Sequence, residues 1–181
     1  MGTKYELVDE SLQKFIEAQS IFFVGTAPLN REGHVNISPK GLNTFRILGP
    51  RRVAYLDLTG SGIETVAHLK ENGRIVLMFC AFQGPPKIVR LYGKGTVVEP
   101  HQPEFATLIN YFDRMEGERA IISVELNRIS DSCGYSVPLL KHEADRQQLS
   151  AWARNRGDEG LRQYRNEKNR KSIDALPGLS E

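Results

Sequence analysis

Two pairs of segments with a β-strand pattern follow one another too closely along this chain for parallel pairing. Six segments alternate apolar and polar residues or are rich in β-branched and aromatic residues: 21–26, 34–38, 52–58, 74–82, 87–98 and 120–129. A parallel pair needs a crossover of about a dozen residues or more, whereas antiparallel strands can be joined by tight turns. Two of the five intervals, 27–33 and 83–86, are shorter than a crossover requires, so the strands on either side of them must be antiparallel if they pair. The spacing therefore predicts a small antiparallel barrel of six or so strands.

Short helices are expected between these strands. Apolar residues at helical spacing predict helices over 11–19, 61–72 and 103–112. In the second of these, Ser61 fits an N-cap, Glu64 completes a capping box and Gly73 fits a left-handed C-terminal cap. Strand 87–98 contains Gly93 and Gly95, which predict a bulge or a tight bend.

Length and charge divide the chain into a neutral body and a basic extension. A chain of 181 residues fits one domain, and its net charge of +2 is unremarkable. Nine of the 24 Lys and Arg residues, against five Asp and Glu residues, lie between Lys141 and Lys171. We expect residues 1–140 to form the barrel. Residues 141–181 should form a helical extension, interrupted near Gly157, that packs on the barrel or on a dimer partner through its apolar residues: Trp152, Leu161, Tyr164 and Ile173.

Cysteine usage and hydropathy favour the cytoplasm. Cys80 and Cys133 are far apart, and no Cys-x-x-Cys pair or metal-ligand spacing is present. The charged N-terminus does not have the pattern of a signal peptide, and no apolar run approaches the roughly 20 residues of a membrane span. The basic residues of the extension are too sparse for a nucleic-acid surface. We therefore expect no membrane and no nucleic acid among the partners.

Two polar segments are candidates for binding an anion. Residues 36–41 end a strand with a hydroxyl at Ser38 and a cation at Lys40, which together suit one phosphate group. Residues 58–65 place hydroxyls and glycines at a helix start, where unpaired N–H groups favour an anion. The same residues also fit an ordinary strand end and an ordinary capped helix. Arg90, in the middle of a strand, can face either a ligand or solvent.

These segments, taken in order, resemble a known family. A strand ending in Ser38-Pro39-Lys40-Gly41 is followed by strand 52–58, a Gly/Ser-rich helix start, and Glu71-Asn72-Gly73-Arg74 leading into an apolar strand. Over residues 10–130 this order resembles the pyridoxamine 5′-phosphate oxidase-like flavoproteins. The resemblance implies a mainly β (α+β) split β-barrel that binds flavin mononucleotide (FMN). It also implies a homodimer with the flavin at the subunit interface.

The resemblance also implies which residues hold the flavin. The cofactor-binding residues carried over from the family pattern, with Arg90 added, are Ser38, Lys40, Gly41, Leu58, Thr59, Ser61, Gly62, Thr65, Arg90, Cys133 and Tyr135. Of these, Cys133 and Tyr135 lie where the family sends residues across to the partner's flavin. The Arg-Lys pair that contacts the phosphate in true pyridoxamine phosphate oxidases corresponds here to about Glu64-Thr65. The C-terminal segment that holds pyridoxal phosphate is replaced by a different, helical extension. Both departures argue against vitamin B6 as the substrate.

The implied function is an FMN-dependent oxidoreductase in which the flavin transfers hydride or electrons to an unidentified small molecule. No side-chain nucleophile motif is present, and flavin chemistry requires none. Three other functions stay open: a flavin carrier without turnover, a reductase that uses the deazaflavin F420, and an interaction protein whose basic extension binds acidic partners. Heme is a further cofactor found on related barrels.

Overall fold

The computed structural model describes residues 2–180, which form eight strands and four α-helices. In chain order the elements are β1 (Lys4–Tyr5), α1 (Glu10–Glu17), β2 (Phe22–Thr26), β3 (Asn36–Lys40), β4 (Phe45–Gly49), β5 (Arg52–Leu58), α2 (Glu64–Asn72), β6 (Arg74–Cys80), β7 (Ile88–Val98), α3 (Pro103–Leu108), a 3₁₀ turn (Ile109–Tyr111), β8 (Glu118–Ser132) and α4 (Gln148–Lys168). None of the helices within residues 2–180 is both long and apolar enough to cross a membrane.

Every paired strand runs antiparallel to its neighbour. The strands are ordered β3-β2-β6-β7-β8-β5-β4, and β1 pairs with β8 outside this path. The path begins at β3 and ends at β4, so the sheet is open and does not close on itself. The predicted mainly β fold of antiparallel strands with short helices is confirmed.

The sequence pattern missed two strands. β1 has only two residues, and β4 reads FRILG, in which every residue is half-buried instead of alternating in burial. β3 lies two residues further along than predicted, so Lys40 is the last residue of the strand. A continuous apolar run such as 74–82 is typical of a strand that is buried on both faces, but buried and half-buried residues alternate over most of β6. A strand that is fully buried on one face only can therefore have a continuous apolar sequence.

The start of α2 differs from its prediction. The helix begins at Glu64 after an N-cap at Ile63 that makes no side-chain capping bond, so the predicted Ser61–Glu64 capping box is wrong. The loop before the helix instead bonds to the C-terminal extension, whose Asn169 donates through Nδ2 to the carbonyl oxygens of Gly60 and Ser61 at 2.9 and 3.4 Å. The left-handed C-terminal cap at Gly73, with φ of 72°, is confirmed.

The sheet has a buried core on each of its faces. Val53 and Tyr55 of β5 point into the larger core, together with residues of β2, β6, β7 and β8. The intervening Ala54 and Leu56 point into a smaller core that is covered by α3. Strand alternation thus places Asp57 on the same face as Tyr55, at the end of the larger core.

The C-terminal extension lies against the body of the protein. α4 is interrupted at Gly157, as predicted, and Leu161 is buried. Trp152 and Tyr164 pack edge to face with ring centroids 5.0 Å apart, whereas Ile173, which was expected to pack, is exposed. After α4, Lys70 Nζ donates to the carbonyl oxygen of Gly178 at 2.6 Å.

We predict that Gly93→Ala destabilises the protein by about 1–3 kcal/mol, the usual cost of overpacking. The pairing of β7 with β8 shifts register between Tyr92 and Gly93, which confirms the predicted bulge. A Cβ atom at Gly93 would meet the carbonyl oxygen of Glu125 and would lie 2.8 Å from Cγ1 of Val124. The free energy of unfolding, measured in urea, is the test.

Gly49→Ala is the matched control, because a Cβ atom there meets nothing within 4 Å. Equal losses of stability in the two variants would show that the bulge at Gly93 does not need a glycine.

Candidate functional site

A buried carboxylate joins two of the predicted site segments. Asp57, near the end of β5, is 1% exposed. Its Oδ1 accepts a hydrogen bond from Lys40 Nζ at 2.7 Å, and its Oδ2 accepts one from Arg119 Nε at 2.7 Å. Lys40 comes from the end of β3, and Arg119 comes from β8 at the irregularity opposite Asp57 and Leu58. The ends of three strands are therefore tied to one carboxylate.

This cluster keeps an excess of positive charge. Burial alone would raise the pKa of Asp57. The charges and hydrogen bonds of Arg119 and Lys40 lower it by more than burial raises it, so the pKa is about 2. Asp57 is consequently ionised at neutral pH, with two cations bound to one anion. The predicted cation Lys40 is thus held in place by a carboxylate, and its side chain is only 21% exposed.

A second cluster of hydroxyls and amides lies between β3 and α2. Asn36 Nδ2 donates to Thr65 Oγ1 at 2.9 Å and to Thr26 Oγ1 at 3.4 Å, and Ser38 Oγ donates to Asn36 Oδ1 at 3.2 Å. Two predicted site residues, Ser38 and Thr65, are therefore linked through Asn36. Ser38 is half-buried, so its hydroxyl group can be approached from outside.

His68 of α2 forms the inner end of this cluster. Its Nδ1 lies 3.0 Å from Thr26 Oγ1, and its Nε2 is buried without a hydrogen-bond partner within residues 2–180. Burial lowers the pKa of His68, and more distant carboxylates only partly oppose that shift. The imidazole is fully buried, so it remains a neutral group with one unused polar atom.

The predicted helix-start segment is largely engaged by the C-terminal extension. Thr59 is buried, and its Oγ1 donates to the carbonyl oxygen of Gly117 at 2.7 Å and accepts from Arg165 Nε at 2.9 Å. Glu64 accepts through Oε1 from the backbone N–H of Ile173 at 3.3 Å. Ser61 and Gly62 stay exposed. Leu58 is half-buried against the smaller core, so it contributes packing at this point.

The other predicted residues lie in separate places. Gly41 lines a cavity of about 310 Å³ together with residues of the aromatic cluster around Phe22, Phe45 and Phe79. Arg90 donates through Nη1 to Ser132 Oγ at 3.0 Å. Cys133 and Tyr135, both exposed, border a different cavity of about 580 Å³. No hydrogen bond within residues 2–180 joins these residues to Lys40 or Thr65.

Several residues of the two clusters were missed at the sequence level. Strand alternation indicates which face of β5 carries Asp57, but it assigns Asp57 no role. Arg119, Thr26 and His68 were not predicted to belong to a site. A charged residue within an apolar strand is the signal that could have pointed to Asp57 and Arg119. No group of His, Cys, Asp and Glu within residues 2–180 is arranged to hold a metal ion.

The comparisons with known proteins agree with this architecture. A family model described as "Pyridoxamine 5'-phosphate oxidase" matches residues 8–133, well over half of the chain. The chain belongs to the pyridoxamine 5′-phosphate oxidase family. A member of this family, the protein ustO of Aspergillus flavus, is 40% identical over 97% of this chain and 77% of its own length.

Two solved structures show the same fold. HupZ of Group A Streptococcus superimposes with a TM-score of 0.53 at 20% identity, covering 67% of this chain and 90% of that chain. A candidate pyridoxamine 5′-phosphate oxidase from Lactobacillus delbrueckii superimposes with a TM-score of 0.52 at 15% identity, covering 70% and 97%. At 15–20% sequence identity, the structural similarity shows that the fold is shared. The family match ends at residue 133, so α4 and the segment after it lie outside it.

We predict that Asp57→Asn lowers the free energy of unfolding by about 3 kcal/mol at pH 7, because it leaves Lys40 and Arg119 without their carboxylate. The pKa of Asp57 is lower in the folded protein than in the unfolded chain. Its stabilising contribution is therefore present above about pH 4 and is lost as the pH falls toward 2. The difference between wild type and variant should shrink over that interval in denaturant unfolding curves.

Asp113→Asn is the control, because the side chain of Asp113 is 79% exposed and its ion pair with Arg46, at 3.5 Å, is open to solvent. A difference between wild type and Asp57→Asn that stays constant from pH 7 to pH 2 would contradict the assignment.

Proposed function

We propose that this protein is an FMN-binding flavoprotein that transfers hydride or electrons between its flavin and a small-molecule substrate. The observation that carries the proposal is that one face of β3 contributes to two polar clusters, Asn36 and Ser38 to the cluster with Thr65 and Lys40 to the positively charged cluster with Asp57 and Arg119. Both clusters lie within the range matched by the family. The proposal also includes a cytoplasmic location, which suits the two free thiols, Cys80 and Cys133.

The donors at this place fit a phosphorylated cofactor. The hydroxyl group of Thr65 accepts from Asn36 and keeps its own hydrogen to donate, and that of Ser38 can donate once it turns away from Asn36 Oδ1. The N-terminus of α2 has no side-chain cap to occupy its first N–H groups. The excess positive charge around Asp57 favours an anion nearby. Glu64 opposes a phosphate in principle, but it is bonded to the backbone of the extension at Ile173. We therefore assign phosphate binding to hydroxyl and N–H groups, with Lys40 contributing charge.

When bound, the flavin supplies the redox chemistry. The side chains of this protein hold and orient it. The Asp57 carboxylate fixes the position of Lys40, and Asn36 fixes the hydroxyl groups of Ser38 and Thr65. The neutral His68 lies behind Thr26, with its Nδ1 3.0 Å from Thr26 Oγ1. No covalent step on a side chain is needed, which agrees with the lack of a nucleophile motif in the sequence.

We further propose a homodimer that forms across β3. This strand is one end of the open sheet and exposes a backbone edge that pairs readily with another chain. Its neighbourhood also exposes large apolar side chains: Val35 is 71% and Ile37 is 69% exposed. A second copy covering this face would enclose the half-open cluster around Ser38.

The first test is the visible spectrum and an FMN titration of the purified chain. We expect a yellow protein, or a colourless one that binds FMN with micromolar or tighter affinity. Ser38→Ala should weaken FMN binding about 5- to 10-fold, the loss of roughly one hydrogen bond, while its melting temperature stays close to that of wild type. The affinity is measured by flavin fluorescence quenching.

Ser11→Ala, at an exposed serine on α1, is the matched control and should bind FMN as wild type does. A protein that takes up no FMN contradicts the proposal. Preference for F420 in a competition experiment would replace FMN by the deazaflavin, and flavin binding without turnover of any reduced nicotinamide or small substrate would favour a carrier.

We predict that Ile37→Lys converts a dimer into a monomer, because it places a charge in the proposed interface, and that it weakens FMN binding at the same time. Light scattering coupled to size-exclusion chromatography measures the mass. Leu7→Lys, at an apolar residue that is 44% exposed elsewhere, should leave the dimer intact. A wild-type chain that elutes as a monomer at all concentrations rules out the interface.

A further inference from the structure

A cavity of about 570 Å³ lies between α4, the chain after β7 and the end of the extension. Leu161 and Leu179 form its apolar wall, and most of its other lining residues are charged or titratable: Glu99, His101, Arg119, Asp158, Arg162 and Arg165. Nothing in the flavin proposal uses this cavity. Its arginines come from both β8 and α4, so it exists only because the extension lies against the sheet.

Hydrogen bonds to uncharged groups help to hold two of its arginines in place. Arg165 donates through Nε to Thr59 Oγ1 at 2.9 Å and through Nη2 to the carbonyl oxygen of Glu118 at 3.0 Å. Arg119 donates through Nη1 to the carbonyl oxygen of Gly60 at 3.1 Å and to Asn169 Oδ1 at 3.0 Å. The two guanidinium groups thus bond to consecutive residues of one loop and lie side by side.

Both guanidinium groups keep donors for a ligand. An arginine has five N–H donors in a planar fork that matches carboxylate and phosphate oxygens. Within residues 2–180, the bonds of Arg165 engage its Nε and one Nη atom, and those of Arg119 engage its Nε and Nη1. The other Nη atom of each residue makes no hydrogen bond in that part of the chain. Each guanidinium group is therefore fixed in position and still has N–H donors that can bind a ligand.

The charges around the cavity are not balanced. Glu99 is bonded to Lys70 at 2.6 Å, and Arg162 to Glu159 at 2.7 Å. The carboxylate of Asp57 pairs with Arg119, but it also pairs with Lys40. No carboxylate within residues 2–180 lies within 4 Å of Arg165, whose pKa is lowered by burial and then by Arg119.

Carboxylates at longer range only partly offset this excess. Asp158 and Glu118 act on Arg165 from more than 4 Å away, and Glu118 is already paired with Arg114. Arg119 is buried and Arg165 is half-buried. Holding two neighbouring cations there without a full set of counter-ions is costly, and a bound anion would reduce that cost.

We propose that this cavity binds a small molecule through a carboxylate or phosphate group that accepts hydrogen bonds from Arg119 and Arg165. The volume admits a metabolite larger than the anionic group itself, with Leu161 and Leu179 contacting its apolar part. Residues of α4 form half of the site, and they lie beyond residues 8–133, which the family model matches. The site is therefore a property of the extension and does not depend on the flavin proposal.

The test is titration calorimetry of the full chain with inorganic phosphate and, separately, with acetate and citrate, against potassium chloride at equal ionic strength. We expect saturable binding of at least one oxyanion, and whichever arm binds identifies the group. Arg165→Gln should weaken that binding at least 10-fold, and Asp158→Asn should strengthen it about 2- to 5-fold by removing a nearby negative charge. Arg154→Gln, at an arginine of α4 that is 71% exposed and lies outside the cavity, is the control and should change it less than 3-fold.

Three outcomes overturn the proposal: no oxyanion binding beyond that of chloride, wild-type affinity in Arg165→Gln, or unchanged affinity in Asp158→Asn. The last comparison decides the matter if Arg165→Gln does not fold, because Asp158 is exposed and its replacement preserves its shape. The titration is repeated with saturating FMN. Phosphate binding that FMN abolishes belongs to the flavin site and also overturns the proposal, whereas a protein that binds no flavin should still bind the oxyanion.

Discussion

The ion cluster at Asp57 is the constraint on which the rest of the molecule depends. One carboxylate that is 1% exposed bonds to Lys40 at the end of β3 and to Arg119 on β8. Because Arg119 also bonds to Gly60 and Asn169, the same cluster fixes the loop before α2 and the chain after α4. Removing the carboxylate would leave two buried cations unpaired, which explains why such a polar group is held at the end of an apolar core.

The same constraint relates the body of the protein to its extension. Arg165 of α4 bonds to Thr59, so a further cation lies near Arg119, whose carboxylate partner Asp57 is already shared with Lys40. A helix that brings a positive charge to an already positive cluster is stabilised by packing, through the buried Leu161, and by hydrogen bonds to neutral oxygens. The extension thus gains its position without neutralising the charge, and this remaining charge is what an anionic ligand could satisfy.

Much of the fold could be predicted from the sequence, because two of the intervals between strands are too short for a crossover and because Gly73, Gly93 and Gly157 mark a cap, a bulge and a helix break. The two-residue β1 and the uniformly half-buried β4 could not be, since neither has a pattern of alternation. For the candidate site, the pattern singled out Ser38, Lys40 and Thr65, and the structure links Ser38 to Thr65. The sequence pattern could not show that Thr59 and Glu64 bond to residues more than 100 positions later, because contacts of that range depend on where the extension lies.

The segment 59–64 therefore has a different task here from the one its composition suggests. Glycines and hydroxyls before a helix are typical of an anion-binding turn, yet Thr59 is buried under Arg165 and the carbonyl oxygens of Gly60 and Ser61 bond to Asn169. One face of this loop is thus committed to the extension, and its exposed face at Ser61 and Gly62 adjoins the N-terminus of α2. A single loop separates the flavin site that we propose from the arginine cavity that we propose, so a ligand in either would act on the same backbone. Since Arg165 is fixed by Thr59, any movement of that loop must also move a guanidinium group that lines the cavity.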